Sequence, residues 1–201
     1  MLASGRTLYP AHGCAGLSVR MVAEHAGVNP GLFHYHFGSK DEFLRTLLQA
    51  LYEDMYAQLT GASQVPGPPL ERLRAALLAV GGFLRRHSPE VGRIWADAGQ
   101  GEPVAVQFVR SNAPRHLTLV TGLLADAELA GELAPMPALQ RLVFLLGAVA
   151  APLLVAERLQ GISLGDALPV DRVASEVQSD AAIAARIDMA LGALRIQGKK
   201  S

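Results

Sequence analysis

His34 and His36 stand two residues apart, and Lys40 follows four positions later. Ring nitrogens and an ammonium at this spacing could ligate a metal, move a proton or hold a phosphate. Metal ligation fits worst, because positions i and i+2 do not share a helix face. No second pair of ligand residues lies at helical spacing from them. Ser111, His116 and Asp126 supply the residue types of a nucleophilic triad, but nothing in the sequence brings them together. There is no nucleophile elbow, no Gly-rich phosphate loop and no His-Glu-x-x-His. We therefore expect no enzyme, no metal site and no cofactor. Cys14 is the sole cysteine, which excludes an internal disulfide and a multi-cysteine zinc site. Lying near Gly13 and Gly16, it reads as a small packing residue. Phosphate contact is the chemistry that remains. With 18 Lys and Arg against 18 Asp and Glu, the net charge is zero. Any contact with nucleic acid must then come from a local arrangement rather than a global positive field.

The elements that must position these residues are short and well punctuated. Ser18 is a natural N-cap, and Val19, Val22 and Ala23 form a small apolar face behind it. Ala26-Gly27-Val28 is a tight turn, with Gly27 free to take a positive φ. Asn29 is a second N-cap, and Pro30 sits at a first helical position, where its missing N–H costs nothing. Two short helices joined by such a turn describe a helix-turn-helix. Its second helix enters the major groove with its first residues at the base edges. Gly38-Ser39-Lys40 then caps a further helix, whose N-terminus and lysine suit a phosphate.

These residues resemble the DNA-binding domain of the TetR (tetracycline-repressor) family of bacterial regulators. The Ser-Val-Arg-x-Val-Ala opening, the Ala-Gly-Val turn and Leu-Phe-His-Tyr-His-Phe-Gly-Ser-Lys carry the likeness, over residues 8–48. The resemblance implies a DNA-contacting set: Ser18, Arg20, Asn29, Pro30, Gly31, Leu32, His34, Tyr35, His36 and Lys40. Asn29 to Leu32 would face bases, Tyr35, His36 and Lys40 phosphates, while Phe33 and Phe37 would be core. Pro30-Gly31-Leu32 offers few hydrogen-bond donors, so methyl contacts to thymine and DNA shape should carry much of the readout. Members usually begin further upstream. Here Met1 falls inside the first helix and Pro10 where that helix should continue, which implies either an earlier start or a shortened first helix with weaker DNA binding.

Beyond this module the chain reads as all-α. Leu70, Leu73, Leu77, Val80 and Leu84 recur at helical spacing, as do Phe43, Leu47, Leu51, Met55 and Leu59, and Ile183, Ile187, Leu191 and Leu194. Expected loops are 61–69, Ser88-Pro89, 99–103, 131–137 and 161–169, and Pro114 should kink or break its helix. We place a DNA-binding domain at 1–45 and a helical ligand-binding and dimerisation domain at 46–201. Phe83, His87, Trp95, Gln107, Phe108, Asn112, His116, Met136 and Phe144 are candidates for lining a small-molecule effector pocket. Arg141 to Gln160 is apolar nearly all round, and Ala181 to Leu194 is similar. Pairing of helices near 138–160 and 180–196 across a two-fold axis would bury them in a homodimer. The most apolar stretch, Leu142 to Ala156, has 15 residues and contains Gly147 and Pro152. That is short of a membrane span of roughly 18, so a buried helix is expected. With no secretory signal order at Met1 to Arg6, a cytoplasmic protein without a membrane segment is expected. The functional expectation is a ligand-responsive repressor on a near-palindromic double-stranded operator. The alternative is a module of the same fold with weak or lost DNA binding.

Overall fold

The computed structural model describes residues 1–159 and 170–196. Gln160 and the loop expected at 161–169 lie outside the described residues. Regular structure among the described residues is helical: α1 (Leu2–Gly16), α2 (Val19–Ala26), α3 (Pro30–Phe37), α4 (Lys40–Ser63), α5 (Pro69–Gly99), α6 (Pro103–Leu129), α7 (Ala138–Leu159), α8 (Val173–Glu176) and α9 (Asp180–Leu194). One isolated antiparallel bridge joins Leu133 to Arg195. The chain forms two compact units. The first holds Met1–Asp54 and Pro89–Pro114, and the second Met55–Ser88 and Arg115–Ser201.

The first unit is organised by caps and aromatic packing. Ser18 Oγ accepts from the Met21 N–H at 3.2 Å and starts α2. Gly27 ends it in the left-handed region at φ 66°, ψ 31°, a conformation that L side chains rarely adopt. Asn29 Oδ1 accepts from the Gly31 N–H at 2.7 Å and starts α3 on Pro30. Phe33 is fully buried, and its ring lies 5.3 Å from Phe37 and 5.0 Å from Phe43. These contacts tie α3 to the start of α4. The first helix departs from expectation. Pro10 lies inside α1 rather than ending it, and the break falls at Gly13, with φ 62° and ψ −169°. Tyr9 and Cys14, on either side of Pro10, are both buried. Their packing outweighs the one backbone hydrogen bond that a proline cannot donate.

In the second unit, Leu70, Leu73, Leu77 and Leu84 of α5 are buried, as are Ile183, Ile187, Leu191 and Leu194 of α9. Leu145, Val149, Leu153 and Ala156 give α7 a buried stripe. Arg141 is buried with them; its guanidinium pairs with Glu128 at 2.9 Å and donates to the Ala134 carbonyl at 2.9 Å.

Three further expectations are corrected. Ser88-Pro89 is not a loop: α5 continues through it, with a kink at His87 (φ −125°, ψ 21°). Pro114 lies within α6 and does not end it; it is exposed, so its cost is confined to the helix's own ladder. The apolar stretch is also longer and barer than read. Ala138–Ala156 is a 19-residue window of mean hydropathy 2.0, long and apolar enough to cross a membrane by length and composition, and only 22% of it is buried. Leu139, Val143, Phe144, Leu146 and Val155 are exposed. The helix is therefore not covered on all sides by the described residues.

Candidate nucleic-acid interface

The ten residues expected at DNA all fall in α2, α3, their caps and the first position of α4, within the first unit. On α3, Phe33 is the one buried side chain; Pro30, Gly31, Leu32, His34, Tyr35 and His36 are exposed. Phe37 is half-buried, with its ring 4.9 Å from Phe43, and a helix anchored by these two rings and otherwise bare is suited to insertion into a groove. Tyr35 is 83% exposed. Its ring meets His36 edge-on at 5.3 Å.

Each polar group has a defined task. The side-chain oxygens of Ser18 and Asn29 are engaged in capping, which leaves the Asn29 amide N–H groups facing outward. Arg20 is exposed on α2 and pairs with Glu24 at 2.6 Å. His34 Nδ1 lies 3.2 Å from the Gly38 carbonyl. A carbonyl only accepts, so this bond needs the proton on Nδ1 and leaves Nε2 outward. Lys40 Nζ donates to the Ala15 carbonyl at 2.9 Å. One of its three donors thus closes the end of α1, and two remain for a phosphate.

Sequence reasoning missed a buried polar cluster in the same unit. Asp97 of α5 is completely buried. Its Oδ2 accepts from the Tyr9 hydroxyl at 2.8 Å and from the Cys14 backbone N–H at 2.7 Å. Its Oδ1 pairs with Arg93 at 2.7 Å. Burial by itself would raise the Asp97 carboxyl, but the Cys14 and Tyr9 hydrogen bonds and Arg93 together hold it below its usual value. Burial pushes the Cys14 thiol up to about 12, with Asp97 adding to the rise. Burial also pushes the Tyr9 phenol upward. The available signal was positional: Asp97 follows Ile94 by three on the buried face of α5, where an acid needs partners.

The expected effector residues divide. Gln107, Phe108 and Asn112 line a cavity of about 530 Å³ in the first unit, together with Glu42, Arg45, Gln49 and Glu53. Trp95, in the same unit, is exposed. Phe83, His87, His116, Met136 and Phe144 belong to the second unit. There Phe83 is buried, with its ring 4.5 Å from His87, His116 is half-buried, and Met136 and Phe144 are exposed. Among the described residues no group of three or more His, Cys, Asp or Glu could hold a metal.

Residues 1–47 match the family model described as bacterial regulatory proteins, tetR family. The regulator BetI of Brucella canis is 30% identical over 83 residues, 41% of this chain and 41% of BetI. The transcriptional repressor KstR2 of Mycobacterium tuberculosis is 26% identical over 91 residues, 45% of this chain and 46% of KstR2. The matched segment therefore spans less than half the length of these curated relatives. In three dimensions the likeness extends further. The ketosteroid transcriptional regulator KstR2 of M. tuberculosis superposes with a TM-score of 0.72 at 17% identity, over 98% of this chain and 93% of that one. The TetR family transcriptional regulator PfmR of Thermus thermophilus does so with a TM-score of 0.67 at 18% identity, over 95% and 96%. The fold is thus an all-α regulator fold with an N-terminal helix-turn-helix. The curated relatives are named as transcriptional regulators, not as enzymes.

Proposed function

We propose that this chain, which belongs to the bacterial TetR family through its N-terminal module, is a sequence-specific transcriptional regulator that acts as a repressor. The observation that carries this reading is α3, held by Phe33 and the half-buried Phe37 and bare over Pro30, Gly31, Leu32, His34, Tyr35 and His36. In the major groove, Asn29 to Leu32 face the base edges, and Leu32 packs on thymine methyls. Arg20, Tyr35, His36 and the two remaining donors of Lys40 meet phosphates, which fix register without reading sequence. Ser18 and Asn29 hold the two helices in register through their caps. The functional division runs at 45/46, with DNA reading before it and partner binding after it; the favoured effector cavity draws Glu42 and Arg45 from before it.

Two copies act together. Leu139, Val143, Phe144, Leu146 and Val155 of α7 and Met189 of α9 are apolar and exposed. A second copy covers them through a four-helix contact of α7 and α9. Two recognition helices about one DNA turn apart then read a near-palindromic operator, in the cytoplasm where the chromosome lies. A small-molecule effector releases the operator by favouring the form that does not fit DNA. A coupling of about 1–3 kcal/mol suffices. The cavity at Gln107, Phe108 and Asn112 is the effector site we favour, with an apolar wall at Val104 and Phe108 and the Gln107 carboxamide to orient a polar group.

The test is a titration of the dimer against a labelled generic duplex between about 50 and 200 mM salt. Binding whose affinity falls steeply with salt supports the reading. No binding even at the lowest salt overturns it.

A further inference from the structure

We infer that Asp97 is a positioning residue for DNA reading, acting through the last turn of α1 on Lys40. The inference rests on the reading of α3 and Lys40 as DNA contacts. Gly13 leaves the helical region, and the chain re-enters a turn that closes with the Leu17 N–H on the Gly13 carbonyl at 3.2 Å. The start of that turn has no capping side chain of its own. Asp97 supplies one from α5, 83 residues away, by accepting the Cys14 N–H at 2.7 Å. It does for this turn what a local Asp does at an N-cap. Tyr9, one turn earlier, donates to the same oxygen at 2.8 Å, so both sides of the kink converge on one carboxylate. Arg93 neutralises the other oxygen. A Cβ at position 13 would collide with the Arg93 guanidinium, so the pair also requires the glycine.

The far side of the same turn faces the DNA-reading helices. The Ala15 carbonyl, next to Cys14, accepts from Lys40 Nζ at 2.9 Å. Lys40 opens α4 just after Gly38, which ends α3 at φ 67°. Asp97 therefore holds the N–H side of a turn whose C=O side holds the lysine. It fixes where the ammonium stands when its other two donors meet a phosphate. Nothing else in this short turn provides that restraint with a full charge, and a buried carboxylate with three partners has little freedom to shift.

The experiment is a double-mutant cycle on the dimer, with affinity for a duplex measured across salt. Asp97→Asn should weaken binding about tenfold for all sequences and lower the salt slope by about one, as loss of one phosphate contact does. Lys40→Met should do the same. The double variant should bind no worse than Lys40→Met alone, because the two act through one contact. A purely structural Asp97 would lower thermal stability while leaving the salt slope of the folded protein unchanged, and that result overturns the inference. So does additivity in the cycle. Tyr9→Phe removes one hydrogen bond without a charge and should shift affinity in the same direction by a smaller factor; if Asp97→Asn does not fold, this variant takes its place in the cycle under the same criteria. Failure of the unsubstituted dimer to bind any duplex would instead sink the DNA-binding reading itself.

Discussion

The carboxamides of Gln49 and Asn112 face each other in a reciprocal pair: Gln49 Nε2 donates to Asn112 Oδ1 at 3.2 Å, and Asn112 Nδ2 donates back to Gln49 Oε1 at 3.0 Å. Tyr52 adds a bond from its hydroxyl to the Asn112 carbonyl at 2.8 Å. This joins the first half of α4, which follows α3, to the first half of α6. Asn112 is buried, so its loss strands a polar partner. Asn112→Ala should cost about 1–3 kcal/mol, read as a lower urea midpoint with an unchanged slope. A shift under about 0.5 kcal/mol, the range of ordinary surface substitutions, would contradict the role given to this pair.

Neighbouring residues of α3 should separate stability from DNA affinity. Phe33→Ala should cost about 3–5 kcal/mol, because it empties a fully buried ring site. Leu32→Ala, on the exposed face, should leave thermal stability nearly unchanged and weaken binding to the selected operator. Thermal melts and duplex titrations on both variants check this. Equal loss of stability in the two would mean that α3 is oriented otherwise.

The exposed α7 surface should be the dimer contact. Phe144→Glu and Leu146→Asp place charges on it without touching the buried stripe of Leu145, Val149 and Leu153. Sedimentation should then report monomers with retained helicity. Operator affinity should fall with dimerisation, since half-sites are read together. A dimer that survives both substitutions would place the contact elsewhere.

Acid should weaken the first unit through Asp97. Its carboxyl is held below the ordinary 3.8, so the folded state binds the proton less readily than the unfolded chain. The stabilisation is complete above about pH 5 and is lost as pH falls through the folded value. Urea midpoints between about pH 3 and 6 should fall at the acid end, and Asp97→Asn should flatten that fall. A slope that is the same in both proteins would contradict the arrangement.

Cys14 should be inert in the folded protein. Its thiol is buried and pushed up to about 12, so little thiolate exists at neutral pH. A chromogenic disulfide reagent should react slowly in buffer and quickly in denaturant. Rapid reaction in buffer would show that the Tyr9, Cys14 and Asp97 cluster opens readily.

What was legible beforehand was local. Ser18, Gly27, Asn29 and Pro30 each act within a few residues, so the two short helices and their turn could be read directly. The leucines of α5 and the isoleucines of α9 likewise announce their buried faces by spacing. Proline misled: Pro10, Pro89 and Pro114 all lie inside helices, although α5 kinks at His87, two residues before Pro89. Asp97 was missed because two of its three partners, Cys14 and Tyr9, lie 83 and 88 residues away. No local pattern records such a pairing. The bare side of α7 was legible in its all-round apolar composition, which states that a surface is to be covered, though not by which chain. The cavity in the first unit gathers three of the residues expected at an effector because Gln107, Phe108 and Asn112 share one stretch of α6, whereas the others were joined only by size and polarity.

The most direct test of the central claim is selection of bound duplexes from a random pool by the purified dimer, at low and moderate salt. The account predicts enrichment of one near-palindromic site, with half-sites about one helical turn apart. A pool that stays random at both salts while the protein is folded and dimeric would contradict it.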